Sequence, residues 1–386
     1  MADHDVVLFG ATGFTGTLTA EYFARHAPRG FRWALAGRNR GKLEALRGKL
    51  AAIDADLATV PLLTADIADP ASLRAVAASA KVVATTVGPY LHYGEPLVAA
   101  CAAEGTDYVD LTGEPEFVDR MYLAYHAKAN ETGARLVHCC GFDSIPHDLG
   151  AWFTVRQLPE DVPLQVDGYV RVGALPSGGT FQTAVNAFGR QAEAQQAAKD
   201  RAAADPMPPG RTVRTPLGTP HRAPGTGQWA VPLPTIDPQV VGHSARASVR
   251  YGPDFRYRHF GAFEHLPSLA GAVAGMGALF AAAQLPPTRR GLAKLLAPGR
   301  GPSPERRARS WFSVRFTGTS GGEHVTTEVS GGDPGYDETA KMLAESALCL
   351  ALDDLPPTSG QVTTATAMGD ALIDRLTRAG MVFRTI

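Results

Sequence analysis

Cysteine is scarce in this chain: Cys101, Cys139, Cys140 and Cys349 are the four present in 386 residues. They form no C-x-x-C pair and no His/Cys ligand spacing, so neither a disulfide framework nor a metal cluster is expected, and a reduced, cytoplasmic compartment fits. An excess of charge of either sign is absent too. With 37 Lys and Arg against 38 Asp and Glu the net charge is −1, which leaves no electrostatic footprint for nucleic acid. Long apolar runs are nearly missing. The uncharged stretch from Leu269 to Leu285 spans about 17 residues, mostly Ala and Gly, which insert weakly into a bilayer. A buried or pocket-lining helix is the expected reading, with peripheral membrane contact through 269–285 as the alternative. The first strand pattern starts within a few residues of Met1, so no signal peptide is expected.

Against these gaps stands a glycine-rich opening. Val6-Val7-Leu8-Phe9 is an apolar run of strand type, and it leads into Gly10-Ala11-Thr12-Gly13-Phe14-Thr15-Gly16 and then a helical pattern. Strand, glycine loop and helix in that order are the context that makes a glycine spacing a dinucleotide site. Gly10 permits the tight turn, Gly13 lets backbone approach a pyrophosphate, and Gly16 lets the helix pack on the strand. The helix N-terminus offers unpaired N–H groups and a partial positive charge to phosphates. Thr12, Phe14 and Thr15 are expected to share the contact. The spacing is G-x-x-G-x-x-G rather than G-x-G-x-x-G.

One more absence is informative. The second strand pattern, Phe31 to Ala36, ends at Gly37-Arg38-Asn39-Arg40 with no Asp or Glu to hold a ribose 2′-hydroxyl. Arg38, beside Asn39, suits a 2′-phosphate, so NADP(H) is favoured over NAD(H). Arg40 and Lys42 read as a solvated helix start. Asp66, after a third strand, is read either at the adenine edge or as a helix cap. Val82 to Val87 is a buried parallel strand that breaks at Gly88-Pro89-Tyr90. Val87, Gly88 and Pro89 should border the cofactor, because ligands of open α/β sheets lie beyond the carboxyl ends of the strands. Tyr90 is read as a proton donor near the nicotinamide or as a packing aromatic. Strands at 107–111 and 135–139, with helices between, complete a doubly wound parallel sheet.

A chain of this length favours two domains. After the sixth strand, Gly141-Phe142-Asp143-Ser144-Ile145-Pro146-His147 leaves through a glycine. Asp143 and Ser144 are read as helix caps, or, with His147, as groups over the nicotinamide; Asp143 is the second catalytic candidate after Tyr90. Leu164 to Ala174 alternates as a half-buried strand. A helix is expected to open at Gly178-Gly179-Thr180-Phe181. Pro206 to Pro238, rich in Pro, Gly and Thr, is expected to be a long irregular excursion bordering a substrate site. Trp311 to Thr319 and Glu323 to Val329 form a hairpin. Helices then return to the first domain, leaving the middle as an insertion.

The glycine loop, Thr85-Thr86-Val87-Gly88-Pro89-Tyr90, Cys140-Gly141-Phe142-Asp143-Ser144-Ile145-Pro146 and Gly331-Gly332-Asp333-Pro334-Gly335-Tyr336 together are similar to motifs of the saccharopine dehydrogenase-like oxidoreductases. Within that group they resemble the trans-acting enoyl reductases of actinobacterial lipid synthesis, over nearly the whole chain. The resemblance implies an α/β fold: a Rossmann-type NADP-binding domain over 1–140, an inserted α+β substrate or dimerisation domain over 141–335, and C-terminal helices over 336–386 returning to the first. It implies NADPH-dependent hydride transfer to a C=C of a hydrophobic, polyketide- or acyl-type substrate, free or on a carrier. A homodimer is the further partner expected. No tyrosine here has a lysine four residues on, so the Tyr-x-x-x-Lys mechanism of short-chain dehydrogenases is not expected. Two alternatives stand: an imine or amino-acid oxidoreductase, with Arg171 and Arg190 as pocket cations, and a non-catalytic, lipid-associated nucleotide binder.

Overall fold

The computed structural model describes residues 2–174, 189–284, 288 and 301–386. The first sheet is seven-stranded and wholly parallel, in the order β14-β6-β5-β4-β1-β2-β3. Its strands are β1 (His4–Phe9), β2 (Trp33–Gly37), β3 (Leu62–Thr64), β4 (Ala80–Thr85), β5 (Asp107–Val109), β6 (Arg135–Val137) and β14 (Gly360–Val362). β1 lies at the centre: Val7 pairs with Ala34 on one side and Val83 on the other, and Val6 to Phe9 are buried throughout. Helices cover both faces, so these strands read as unbroken apolar runs. The chain runs outward from β1 through β2 to β3, then crosses back to β4. That reversal opens a crevice above the carboxyl ends of β1 and β4, where Gly10 and Val87 leave the sheet.

Local chemistry sets the helix ends. The Asn39 and Asp69 side chains cap the helices Arg40–Ala51 and Pro70–Ala78, and Gly105 and Gly133 close helices in the left-handed conformation.

The second sheet has eight strands, β15-β13-β12-β7-β11-β10-β9, with β8 pairing β11 off that path. These are β7 (Leu164–Val172), β8 (Thr212–Arg214), β9 (His221–Arg222), β10 (Trp229–Pro232), β11 (Asp254–Phe263), β12 (Phe312–Ser320), β13 (Glu323–Gly331) and β15 (Val382–Thr385). The expected hairpin is β12–β13, joined through Gly321 and Gly322. The helix Ile145–Val155 lies on its inner face, and Gly150 sits so close to the Phe316 ring that a Cβ there would collide with it. Asp148 bolts this helix in place, accepting hydrogen bonds from Ser244 Oγ at 2.5 Å, Thr364 Oγ1 at 2.7 Å and the Ala365 N–H at 2.8 Å.

Four expectations need correction. The stretch 206–238 is not wholly irregular, because β8, β9 and β10 form by pairing with β11 or with each other, as in Ala230 opposite Ala262. The helix at 266–284 is not buried: most of its described side chains are exposed, since Ala and Gly carry little apolar area to anchor it. The tail does not return wholly to the first domain. The helix Asp337–Leu352 does pack there, with the Tyr22 hydroxyl donating to Glu345 at 2.6 Å, and β14 extends the first sheet, but β15 covers the outer edge of β13. Several strands also end one or two residues sooner than their apolar runs, β5 at Val109 and β6 at Val137 among them. The expected helix start at 178–181 lies outside the described residues.

Candidate active site

The turn out of β1 is built so that two of its three glycines are required by the protein itself. Gly10 has φ +81°, and a Cβ there would stand 2.5 Å from Val87 Cγ2 and 3.0 Å from Thr86 Oγ1. A Cβ at Gly16 would stand 2.9 Å from Thr86 Oγ1 and 3.0 Å from the Ala11 carbonyl carbon. Gly13 differs: the nearest atom to a Cβ there is the Gly10 oxygen at 3.4 Å, an ordinary contact. Among the described residues nothing forbids a side chain at this exposed position, so the space beside Gly13 is open to a ligand. The loop is pinned by Thr86 Oγ1 and the Gly13 N–H, which donate to the Gly10 carbonyl at 3.1 and 3.0 Å. The helix Phe14–His26 then begins with no side-chain cap and no acidic residue in its first turn, which leaves its N–H groups and positive end for an anion.

The remaining loop residues divide by task. Phe14 makes an edge contact with Tyr336 at 5.0 Å, and the Arg307 guanidinium, paired to Asp337 at 2.8 Å, lies 5.6 Å from its ring. The second domain therefore reaches over the start of this helix. The Thr15 carbonyl accepts from Thr19 Oγ1 at 2.9 Å, and Thr12 is half-buried in the turn. Arg38 is exposed and makes no ion pair among the described residues. Asn39 is committed as the helix cap, accepting from the Lys42 N–H at 2.9 Å, and Arg40 is held by Glu44 at 3.0 Å and the Leu62 carbonyl at 2.8 Å. Asp66 closes its own turn, accepting from the Ala68 N–H at 3.0 Å. Val87 and Pro89 are half-buried and Gly88 is exposed, all at the lip of the crevice.

Tyr90 is a clamp. It is 7% exposed, its hydroxyl donates to the Thr85 carbonyl at 3.0 Å, and it accepts from the Leu111 N–H at 3.1 Å. Burial, reinforced by Asp110, pushes the phenol well above its ordinary value. The expected proton donor thus has its proton engaged by backbone, tying the end of β4 to the end of β5.

Asp143 stands differently. It follows Gly141 beyond β6 and keeps partial solvent access. Burial first, and the nearby Asp237 second, push its carboxyl up to about 7 against the opposing pull of His147. Behind it lies a buried cluster. His147 Nδ1 is 2.7 Å from Asp237 Oδ1, and Asp237 Oδ2 is 3.5 Å from His259 Nε2. His259 Nδ1 meets the Tyr257 hydroxyl at 3.0 Å. Burial works to raise the Asp237 carboxyl, but the two imidazoles and hydrogen bonds from His147 and Thr235 hold it below its ordinary value. His259 is driven down to about 4, chiefly by burial. The cluster is thus an ionised carboxylate facing a neutral His259. These three side chains also have the composition of a metal triad. Ser144, the other residue read over the nicotinamide, is wholly buried. Of the pocket cations considered, Arg190 is spent on Glu116 at 2.7 Å and Arg171 on Glu264.

His259 also lines a cleft of about 440 Å³, together with the apolar Val213, Pro216, Leu217 and Leu233. Asp237 and His259 are the site residues that sequence reasoning missed. The signal for the second was present, since Phe255, Tyr257 and His259 alternate with Arg256 and Arg258 as on a strand.

Residues 6–137 match the saccharopine dehydrogenase NADP-binding domain. The chain is 38% identical to the trans-acting enoyl reductase of Mycobacterium bovis over 99% of its own length and 98% of that protein. The chain belongs to the trans-acting enoyl reductase family. Rv2449c of Mycobacterium tuberculosis, provisionally named a reductase of this kind, is 39% identical over 99% of this chain and 97% of its own. The Mycobacterium ulcerans member is 37% identical over 98% and 97%. Apo saccharopine dehydrogenase (L-Glu forming) from Saccharomyces cerevisiae superposes over 99% of both chains with a TM-score of 0.57 at 12% identity, which shows a shared fold.

This family member is an NADP-dependent oxidoreductase, and its residues fit NADP(H). The open space at Gly13 and the uncapped start of the helix Phe14–His26 suit a pyrophosphate, and unpaired Arg38 suits a 2′-phosphate. Among the described residues, no helix is long and apolar enough to cross a membrane.

Proposed function

We propose that this chain reduces an activated carbon–carbon double bond in a hydrophobic acyl-type substrate, free or carrier-bound, with Asp143 as the proton donor. The observation that carries this reading is the end-to-end match to proteins named trans-acting enoyl reductases. Bound NADPH supplies a hydride. The chain supplies the rest. Gly13 and the N–H groups from Phe14 to Gly16 bind the pyrophosphate, Arg38 selects the 2′-phosphate, and Val87, Gly88 and Pro89 border the reacting end. When one alkene carbon takes a hydride, its neighbour takes a proton. Asp143 is the group suited to deliver it, because a carboxyl titrating at about 7 is half protonated at neutral pH. Burial first, and the negative charge of Asp237 second, keep that proton in place, and His147 and His259 hold Asp237. The apolar wall of the adjacent cleft supports an acyl body.

The test is NADPH consumption by the full chain with a medium-chain 2-enoyl thioester, with product identified by mass. Saturation of the C=C supports the proposal. Turnover of an α-imino acid instead, or of neither substrate with NADPH bound, overturns it.

A further inference from the structure

The cleft above His259 contains an arrangement that reduction of an alkene does not need. Arg201, on the helix Gln191–Ala204, is only 6% exposed, yet its Nε and Nη1 make no hydrogen bond among the described residues, and the Nε of Arg246, whose guanidinium shares the Asp205 carboxylate with it, is likewise buried and unpartnered. Both guanidiniums line the cavity. Buried donors without partners are costly, so such groups are rare unless something meets them.

Carboxylates are near but do not satisfy them. Asp119 lies 3.8 Å from Arg201 Nη1, and Asp205 lies 3.6 Å from Arg201 Nη2 and 3.5 Å from Arg246 Nη2. These are loose ion pairs, and Arg246 Nη2 also donates to the Asp205 carbonyl, but Arg201 Nε and Nη1 and Arg246 Nε are left without a hydrogen bond among the described residues. Asp119 is also engaged by the Gln239 amide at 2.8 Å, and burial pushes its carboxyl up to about 6 despite Arg201. The Tyr122 ring, 3.5 Å from the Arg201 guanidinium carbon, fixes the plane of the fork. His243 reports the local field: after burial, the two arginines are what drive its ring well below the ordinary imidazole value. Pro216, Leu217 and Leu233 line the same cleft.

We infer that this cleft is a receptor for an anionic group, a carboxylate or a phosphate, carried on an apolar chain, with Arg201 and Arg246 on the anion and the Leu217 side on the chain. Its volume of about 440 Å³ suits a small amphiphile. The site stands on its own donors and does not require that its occupant be the molecule reduced.

The experiment titrates the full chain calorimetrically with octanoate, octyl phosphate, inorganic phosphate and octanol, with NADPH affinity followed separately by tryptophan quenching. Octanoate or octyl phosphate should saturate below about 10 mM while octanol does not, and the tighter of the two names the anion. Arg246→Gln, and Leu217→Asp at a wall position 59% exposed, should each weaken that ligand about tenfold or more and leave NADPH affinity unchanged. Leu217→Asp keeps the test open if an arginine variant fails to fold. Octanol binding as well as octanoate, inorganic phosphate as well as octyl phosphate, no saturation by either amphiphile, or variants binding like the parent would each overturn the inference. Failure of enoyl turnover with anion binding intact would sink the proposed reaction and leave this site standing.

Discussion

His147 Nδ1 stands 2.7 Å from Asp237 Oδ1, with both side chains buried. The pair joins the start of the helix Ile145–Val155 to the start of the helix Asp237–Ala247, and so fixes the second domain against the exit from β6. It also places an ionised carboxylate where Asp143 feels it. After burial, that carboxylate is the next cause of the raised proton affinity of Asp143.

Asp237→Asn removes that negative charge. Asp143 should then lose its proton more readily, and the alkaline limb of the kcat/KM profile, expected near pH 7 for the parent, should move to lower pH. Asp143→Asn should abolish the limb along with most of the activity. Enoyl thioester reduction measured from pH 5 to about 9 checks both. An unmoved limb in Asp237→Asn would remove the electrostatic account of the cluster.

Asp143 should also leave a mark on stability. In the folded chain it keeps its proton to about pH 7, whereas its ordinary value is 3.8. Folding therefore takes up a proton between those values. The contribution is fully present below about 3.8 and is lost as pH rises through about 7. His259, driven down to about 4 from 6.5, acts the other way: its contribution is present above 6.5 and is lost as pH falls through about 4. The parent Tm mixes both. Asp143→Asn isolates the first, and its Tm relative to the parent should rise steadily from pH 5 to about 8.

Tyr90→Phe tests the clamp. The change deprives the Thr85 carbonyl and the Leu111 N–H of a shared partner and should cost about 1–3 kcal/mol of stability, read from denaturant unfolding. The pH dependence of turnover should be unchanged, because the proton comes from Asp143. Loss of the limb with stability intact would return the donor role to Tyr90.

The nucleotide half of the site was legible because its constraints are local. A tight turn, a close helix start and the absence of an acid after the second strand are properties of a few neighbouring residues, and Gly10, Gly16 and Arg38 stand where those rules put them. The buried cluster behind Asp143 was not, since Asp237 and His259 meet His147 only through the pairing of β7 with β11 and the docking of one helix on another. Nothing near Asp237 in the sequence marks it beyond the Asp-Pro that opens a helix. Tyr90 shows the converse limit: its position relative to Gly88 was readable, but the two backbone groups that occupy its hydroxyl belong to β4 and to the loop after β5.

Arg38→Ala should weaken NADPH by about 1.5–3 kcal/mol, the range for hydrogen bonds to a charged group, and barely affect NADH. Arg38 is exposed and unpaired among the described residues, so its removal should not alter Tm. Tryptophan quenching by each nucleotide measures the difference. Equal losses for both would mean that Arg38 touches the shared part of the cofactor.

The glycine loop offers a separation of binding from folding. At Gly16 an added methyl meets Thr86 Oγ1 at 2.9 Å and the Ala11 carbonyl carbon at 3.0 Å, and backbone cannot easily yield. Gly16→Ala should therefore cost about 1–3 kcal/mol of stability by overpacking. Gly13→Ala meets only the Gly10 oxygen at 3.4 Å and should unfold like the parent. Its methyl instead occupies the space a pyrophosphate needs, and Gly13→Val fills it completely, so NADPH binding should weaken in the first and vanish in the second. Urea unfolding beside NADPH titration on the same preparations reads both effects. A Gly13→Val chain that folds normally and still binds NADPH tightly would mean that the pyrophosphate lies elsewhere, and the nucleotide would have to enter this sheet by another loop.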